Sequence, residues 1–328
     1  MSLTGSTPVD RLSEPGSAAL RTGGSLRLAL LLALAGLGTC YVTVFLRDLL
    51  ARHREGGHVR PPVLLPSWRE TATGFITTFF DTFGIGSFAT TTALFRAWRL
   101  VPDERIPGTL NVGHSLAAVL AAFIFIQLVP VSPWTLLPMI GAAMMGAWTG
   151  AGIVAGLSRY RVRLGMGAAL FLAAIIMLLT QLKLIPGGGT ALGLWGPALG
   201  LAVAANFVLG GLMTLGIGLY APCMILVSLL GMNPRAAFPI MMGSCAFLMP
   251  ICSARFVRRG SYHATAAVGL TLGGVPALFI AALLVKAMPV AVVRWIVIAV
   301  VLYTSWTLVQ AARRERARVP AAPPSAAP

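Results

Sequence analysis

The chain has 328 residues, of which 57% are hydrophobic and only 10% are charged. Soluble proteins carry about 25% charged residues, so this composition excludes a soluble globular fold and predicts an integral membrane protein. The net charge of +16 does not indicate nucleic-acid binding. The basic residues cluster between hydrophobic segments, as they do on the cytoplasmic side of membrane proteins.

A helix needs roughly 20 apolar residues to cross a bilayer, and several stretches meet that length. The predicted fold is all-α, with one extra N-terminal helix before two repeated units. Its predicted parts are a disordered tail over 1–25, the extra transmembrane helix over 26–46, a cytoplasmic linker over 47–69, the first repeat over 70–185, the second repeat over 190–312 and a disordered cytoplasmic tail over 313–328.

Two apolar regions, 71–98 and 191–230, contain breaks. The first includes FDTFGIGSFATTT, from Phe80 to Thr92, which places an acid and two glycines in an otherwise apolar stretch. Irregular backbone inside a membrane is tolerated only where protein or water satisfies its polar groups. We therefore expect both breaks at a buried functional centre, as re-entrant or as fully spanning hairpins.

The two halves align with an offset of 132 residues. Gly84-Ile85-Gly86 then falls on Gly216-Ile217-Gly218, and Pro102 and Pro107 fall on Pro234 and Pro239. Each half reads as a broken hairpin followed by three crossings. An odd number of crossings would invert the second half relative to the first, as in secondary transporters, which bind substrate where the two repeats meet.

The basic loops predict the orientation in the membrane. RRERAR at 313–318 indicates a cytoplasmic C-terminus, and RFVRRG at 255–260 and SRYRVR at 158–163 fall on the same side. The N-terminus is then external. The predicted location is a cell (inner) membrane, with lipid around the chain; a homo-oligomer stays open.

DTFGIGSFATTTALFRAWRLVPDERIPGTLNVGH, at 81–114, resembles the TauE/SafE sulfite exporter family, also called the 4-toluene sulfonate uptake permease family. GIGLYAPCMILVSLLGMNPRAAFPIMMGSCAFLMP, at 216–250, resembles its second-half counterpart. The resemblance covers roughly residues 70–312. It implies a permease for small anions, mainly sulfite or organosulfur compounds, that uses no ATP. The first half departs from the family pattern, since Thr90 stands where the second half has Pro222.

A half-helix that starts after a glycine break presents unpaired amides, which favour an anion. On this argument the predicted substrate-binding residues of the breaks are Gly84, Gly86, Ser87, Thr90, Thr91, Thr92, Gly216, Gly218, Pro222 and Cys223. For the hydroxyls, the alternative is a bond back to their own helix. Asn111, His114 and Ser244 in the following helices could line the same cavity, or merely join helices.

Asp81 is the sole carboxylate deep in a hydrophobic segment, which makes it a candidate for a functional role. It could take up a proton in a coupling cycle. Alternatively, it caps a half-helix or lies in a cytoplasmic vestibule.

Two other function classes remain open. An intramembrane hydrolase could use Ser87 as nucleophile and His114 as base, although Ser87 lacks the surrounding GxSG of rhomboid-type proteases. A membrane scaffold without transport activity is the other. The sequence has no P-loop, so no ATP use is expected, and it predicts no cofactor or metal. The identity of the anion, the direction of transport and proton or sodium coupling stay open.

Overall fold

The computed structural model describes residues 14–55, 65–153, 159–184, 189–213 and 219–318. These ranges form eleven α-helices and no β-strand. The helices are α1 (Glu14–Glu55), α2 (Trp68–Thr82), α3 (Ser87–Ala97), α4 (Ile106–Leu128), α5 (Pro133–Ile153), α6 (Arg159–Gln181), α7 (Gly196–Met213), α8 (Tyr220–Leu229), α9 (Ala237–Arg258), α10 (Ala264–Ala287) and α11 (Val290–Arg318).

The first helix is longer than predicted. The predicted helix covers 26–46, whereas α1 runs from Glu14 to Glu55 and takes in part of the tail predicted to be disordered. Pro15 falls in its first turn, where a missing N–H costs nothing. The stretch from Arg47 to Arg54 continues the helix because it contains neither glycine nor proline.

Six described helices are long and apolar enough to cross a membrane. They lie at Gly24–Arg54, Ile106–Leu128, Gly196–Met213, Pro234–Arg258, Ala264–Ala287 and Ala291–Glu315. Large apolar side chains such as Trp148, at 88% exposure, and Leu32, at 63%, face outward. An apolar exterior of this kind suits lipid. The chain is therefore a multi-pass membrane protein.

The order of elements recurs about 132 residues further along the chain. A long helix, a short helix, a 3-10 turn and three long helices follow one another from α2 to α6, and the described residues 189–213 and 219–318 contain the same order of helices from α7 to α11. The 3-10 turn Asp103–Arg105 begins one residue after Pro102, and the turn Pro234–Ala236 begins at the aligned Pro234. The internal repeat seen in the sequence is thus a repeat of structure.

The two sets of helices pack against each other in equivalent pairs. Extensive contacts join α2 to α10 and, in the equivalent position, α7 to α5. Two further large contacts, α4 with α9 and α6 with α11, each join a helix to its own counterpart. The same pairs of helices are therefore in contact when the two repeats are exchanged.

Glycines allow the closest of these contacts. A Cβ at Gly74 would come within 2.5 Å of the Leu270 carbonyl oxygen on α10, and one at Gly273 would meet the α2 backbone. On the equivalent pair, a Cβ at Gly210 or Gly146 would meet the backbone of the facing helix. Small residues are typical where membrane helices approach closely.

The extra helix α1 packs on α4 and α9, outside the repeat pair. Its Tyr41 hydroxyl donates to the Val112 carbonyl at 2.5 Å, and near its end Asp48 accepts hydrogen bonds from Arg52 and Tyr262. Tyr262 lies in the loop before α10. Burial and the adjacent Asp48 carboxylate raise the pKa of this tyrosine, so its hydroxyl stays a donor.

Candidate functional site

The predicted break in the first repeat is present. Helix α2 ends at Thr82 and α3 begins at Ser87. Gly84 and Gly86 have φ angles of 96° and 85°, which L side chains rarely adopt. A Cβ at Gly84 would also collide with the Met224 side chain on α8, whereas one at Gly86 would meet nothing within 4 Å. Gly86 is therefore required mainly by its backbone conformation.

Asp81 bridges this break. The Ser87 backbone N–H donates to Asp81 Oδ1 at 2.6 Å, so the last turn of α2 caps the first turn of α3. Asp81 thus caps a half-helix, as in one of the alternatives for this residue, and the first amide of the predicted anion cradle already has a carboxylate partner. The next amides, those of Phe88 and Ala89, lie in the first turn and have no acceptor within their own helix.

His114 ties three helices together. Its Nδ1 lies 3.3 Å from the Thr78 hydroxyl on α2, and its Nε2 lies 3.1 Å from the Thr91 hydroxyl on α3. All three side chains are buried. A neutral imidazole can donate through one ring nitrogen and accept through the other. The histidine on α4 therefore fixes both limbs of the broken hairpin.

A cavity of about 50 Å³ adjoins the break. A single water needs at least ~10–15 Å³ by the same measure, so the cavity has room for a small solute. Its polar lining comes from both repeats, and its apolar lining includes three methionines. The residues around it are Thr78, Asp81, Thr82, Gly86, Ser87, Phe88, His114, Ala117, Ala118, Ala121, Met213, Leu219, Tyr220, Met242, Cys245, Met249 and Leu278.

Equivalent positions of the two repeats line this cavity together. At the offset of 132 residues, the pairs are Asp81 with Met213, Ser87 with Leu219, Phe88 with Tyr220 and Ala117 with Met249. Both members of each pair contribute to the wall. The cavity therefore lies between the two repeats, near the start of α3 and of α8.

The two walls differ in chemistry. The first repeat contributes hydroxyls, a carboxylate and an imidazole, whereas the second contributes mainly sulfur. Cys245 Sγ lies 3.8 Å from Met213 Sδ, and Met242 and Met249 complete this side. Thioethers are polarisable and adapt to irregular shapes.

None of the described lining residues is a lysine or an arginine. The sequence 214–218, which lies outside the described residues, has no charged side chain either. Asp81 is therefore the one formal charge that the described lining residues bring to the cavity. Any anion would be held by hydroxyls, amides and helix ends, without a cationic side chain.

Of the predicted binding residues, Gly86, Ser87 and His114 line the cavity, as does Asp81. Gly84 shapes the break behind them. Thr90 and Thr92 instead bond back to carbonyls of α3, at 2.9 and 2.7 Å, and Thr91 acts through His114. Asn111 donates to the Pro107 carbonyl of its own helix at 2.9 Å and is not in the lining.

The second-repeat predictions are placed differently. Pro222 and Cys223 are buried in α8 outside the lining, and Ser244 donates to the Ile240 carbonyl at 2.8 Å. Gly216 and Gly218 lie outside the described residues. Cys245, one position after Ser244, reaches the cavity in its place.

Sequence reasoning missed several lining residues. Thr78 and Thr82 lie three residues before and one residue after Asp81, so all three share one face of α2 directly before the break. That spacing was a usable signal. Tyr220 could have been found as the counterpart of Phe88 in the repeat. The three methionines carried no local signal, because methionine is common throughout apolar helices.

Comparison with models of known protein families, with curated proteins and with solved structures found no match.

Proposed function

We propose that this protein is a secondary permease that moves a small anion, sulfite or an organosulfonate, across the cell inner membrane by alternating access. The observation that carries the proposal is the cavity lined by equivalent positions of two structural repeats. Secondary transporters bind their substrates at such repeat interfaces, next to discontinuous helices. The resemblance of 81–114 and 216–250 to the TauE/SafE family supports the choice of substrate.

Within this proposal the second repeat is inverted relative to the first. Three crossings after each hairpin bring about the inversion, and the basic loops keep the C-terminus cytoplasmic and the N-terminus external. Alternating access then follows from rocking one repeat against the other about an axis that passes through the cavity. The glycine-lined contacts of α2 with α10 and of α7 with α5 are the surfaces that would slide.

The anion is held by partial charges. Helix α3 presents its first-turn amides to the cavity, and the start of α8 faces it through Leu219 and Tyr220. The hydroxyls of Ser87 and Tyr220 can donate to oxyanion oxygens. Weak binding of this kind suits a carrier, because the solute must also leave.

We favour the permease over the hydrolase alternative because of the contacts of His114. Both ring nitrogens of His114 are engaged by threonine hydroxyls, so the imidazole is not arranged as a base for Ser87. A base must lie within hydrogen-bond reach of the proton it removes and must be free to accept it.

The test is uptake of radiolabelled sulfite and of methanesulfonate into proteoliposomes. Gly86→Leu places a large side chain in the cavity lining at a backbone conformation that disfavours it, so we expect at least about a tenfold loss of uptake. Gly36→Leu is the matched control, because Gly36 lies exposed on α1 and a Cβ there would meet nothing within 4 Å. Normal uptake by the Gly86 variant, or no uptake by the wild type, would refute the proposal.

A further inference from the structure

We propose that Asp81 carries one proton across the membrane together with the anion. The inference rests on the proposed function and adds the coupling ion, which the proposed function leaves open. It follows from the position of the carboxylate, from the absence of cations in the described lining and from the amide that the carboxylate occupies.

The first argument for a coupled proton is the electrostatic repulsion between the anion and Asp81. An anion in the cavity would lie close to Asp81, which is itself a lining residue. Two unit negative charges about 5 Å apart, at an effective dielectric constant near ~20, repel strongly enough to weaken binding on the order of a hundredfold. No lysine or arginine among the described lining residues offsets that repulsion. Protonation of Asp81 removes it.

The second argument for a coupled proton is the hydrogen bond that Asp81 accepts. Its Oδ1 accepts the Ser87 N–H at 2.6 Å, so the ionised carboxylate holds the first amide of α3, on a residue that lines the cavity. Hydrogen bonds to an ionised acceptor are about twice as strong as those to a neutral one. A protonated Asp81 therefore gives up this amide more readily, and an oxygen of the solute can replace it. Proton uptake and anion binding favour each other.

Other titratable groups line the same cavity as Asp81. His114 approaches from α4, Tyr220 from α8 and Cys245 from α9, and the α10 residue in the lining, Leu278, is apolar. His114 is held at both nitrogens by Thr78 and Thr91. A tyrosine or a thiol is neutral near pH 7, so neither compensates a second negative charge. Asp81 is the group through which the charge in the cavity changes.

The step balances in charge and protons. One proton from the water on the first side binds a carboxylate oxygen of Asp81, and one monoanion binds beside it. The loaded cavity then has the charge of the empty one with ionised Asp81. After the repeats rock, the anion and the proton leave to the other side, so one negative and one positive charge have moved together.

The probe is methanesulfonate, whose conjugate acid is too strong to carry a proton itself. Proteoliposomes with a pH-sensitive dye in the lumen receive an inward methanesulfonate gradient. We expect the lumen to acidify with uptake, and uptake to rise up to about tenfold per pH unit as the external pH falls through the range where Asp81 is ionised. Uptake without lumen acidification would overturn the inference.

Variants assign the proton to Asp81. Asp81→Asn keeps an oxygen for the Ser87 amide but is neutral at every pH, so its uptake should lose the pH dependence and the lumen acidification. Its remaining anion flux should respond to an imposed membrane potential, which the coupled wild-type cycle does not. Asp81→Glu should restore acidification. Glu104→Gln, which changes an exposed carboxylate outside the cavity, should match the wild type.

The outcomes distinguish a failure of the proposed transport function from a failure of the proton coupling alone. If the wild type moves neither sulfite nor methanesulfonate, the proposed function fails and the coupling falls with it. If the wild type moves methanesulfonate without protons, the coupling alone fails. If acidification persists in Asp81→Asn but is lost in His114→Gln, the proton carrier is the histidine and the assignment to Asp81 is wrong. The wild-type measurement decides the coupling even if a variant does not fold.

Discussion

The two walls of the cavity come from equivalent helices but have opposite chemistry. Asp81, Ser87 and His114 of the first repeat align with Met213, Leu219 and Ala246 of the second. The repeat thus preserves the order and the pairing of the helices, whereas the side chains at equivalent positions of the cavity differ. We infer that the repeated architecture determines where the cavity lies and that the unequal side chains determine its polarity.

The largest effect is expected when a lining residue of the first repeat is replaced by its counterpart from the second repeat. Ser87→Leu copies Leu219, removes a hydroxyl from the lining and fills part of a 50 Å³ cavity. We expect methanesulfonate uptake to fall at least about tenfold, since a lost hydrogen bond and lost space both act on the bound solute. Proteoliposome uptake measures it.

Leu219→Ser is the reciprocal control for that experiment. It adds a hydroxyl to the second wall without narrowing the cavity, so uptake should change less than about threefold. Equal losses in both variants would contradict the claim that the first wall provides the polar contacts.

A smaller effect is expected from His114→Ala, which copies Ala246. It removes the two hydrogen bonds to Thr78 and Thr91 and leaves buried hydroxyls to find other partners. We expect a loss of about 2 kcal/mol of stability, seen as earlier thermal unfolding in detergent. Ser244→Ala is the comparison in the second repeat, because Ser244 donates at 2.8 Å to its own helix and accepts only a long hydrogen bond, 3.4 Å, from Asn206 on α7. An equal loss of stability in Ser244→Ala would contradict a distinct stabilising role for His114.

Cys245→Ala tests whether the sulfur-rich side of the cavity, which the second repeat contributes, binds the solute. It removes the thiol that lies 3.8 Å from Met213 Sδ and opens a small space. We expect the stability to fall by about 1 kcal/mol and uptake of methanesulfonate to change less than twofold. A tenfold loss of uptake would mean that the thiol binds the solute directly.

The smallest expected effect is on the pH dependence of stability. It concerns His263, which caps the start of α10. His263 Nδ1 accepts the Ala266 N–H at 3.3 Å, which requires a neutral acceptor. Burial lowers the pKa of His263, so its folded value lies below the unfolded one. The cap therefore stabilises the protein above the ordinary histidine range and is lost as pH falls through the folded pKa. His263→Asn should reduce the acid-side fall in melting temperature by at most about 2 °C. An unchanged pH profile would contradict this role.

Much of the architecture could be predicted from the sequence because its causes are local or periodic. Apolar length predicted membrane helices, and the GIG motif predicted the break, since positive φ angles favour glycine. The fixed spacing of glycines and prolines predicted that the series of elements would recur. The extent of α1 could not be predicted from hydropathy alone, because its polar ends are helical without being apolar.

The lining of the cavity was harder to predict, because it depends on which face of each helix points toward the cavity. Thr90 and Thr92 share the right segment but satisfy their hydroxyls within α3. Asp81 was identified as unusual, yet its bond to the Ser87 amide required the geometry of the turn. Cys245 rather than Ser244 lines the cavity because a shift of one residue turns a helical side chain by about 100°.

The most direct test of the shared cavity is chemical labelling of Ser87→Cys, in a variant whose four native cysteines are replaced by alanine. The probe is an anionic methanethiosulfonate that carries a sulfonate, compared with its cationic counterpart. At a pH low enough to protonate Asp81, we expect the anionic reagent to modify position 87 faster than its cationic counterpart, and we expect methanesulfonate to slow the reaction. A cysteine there that neither reagent reaches, or one whose modification methanesulfonate leaves unchanged, would contradict an anion site between the repeats.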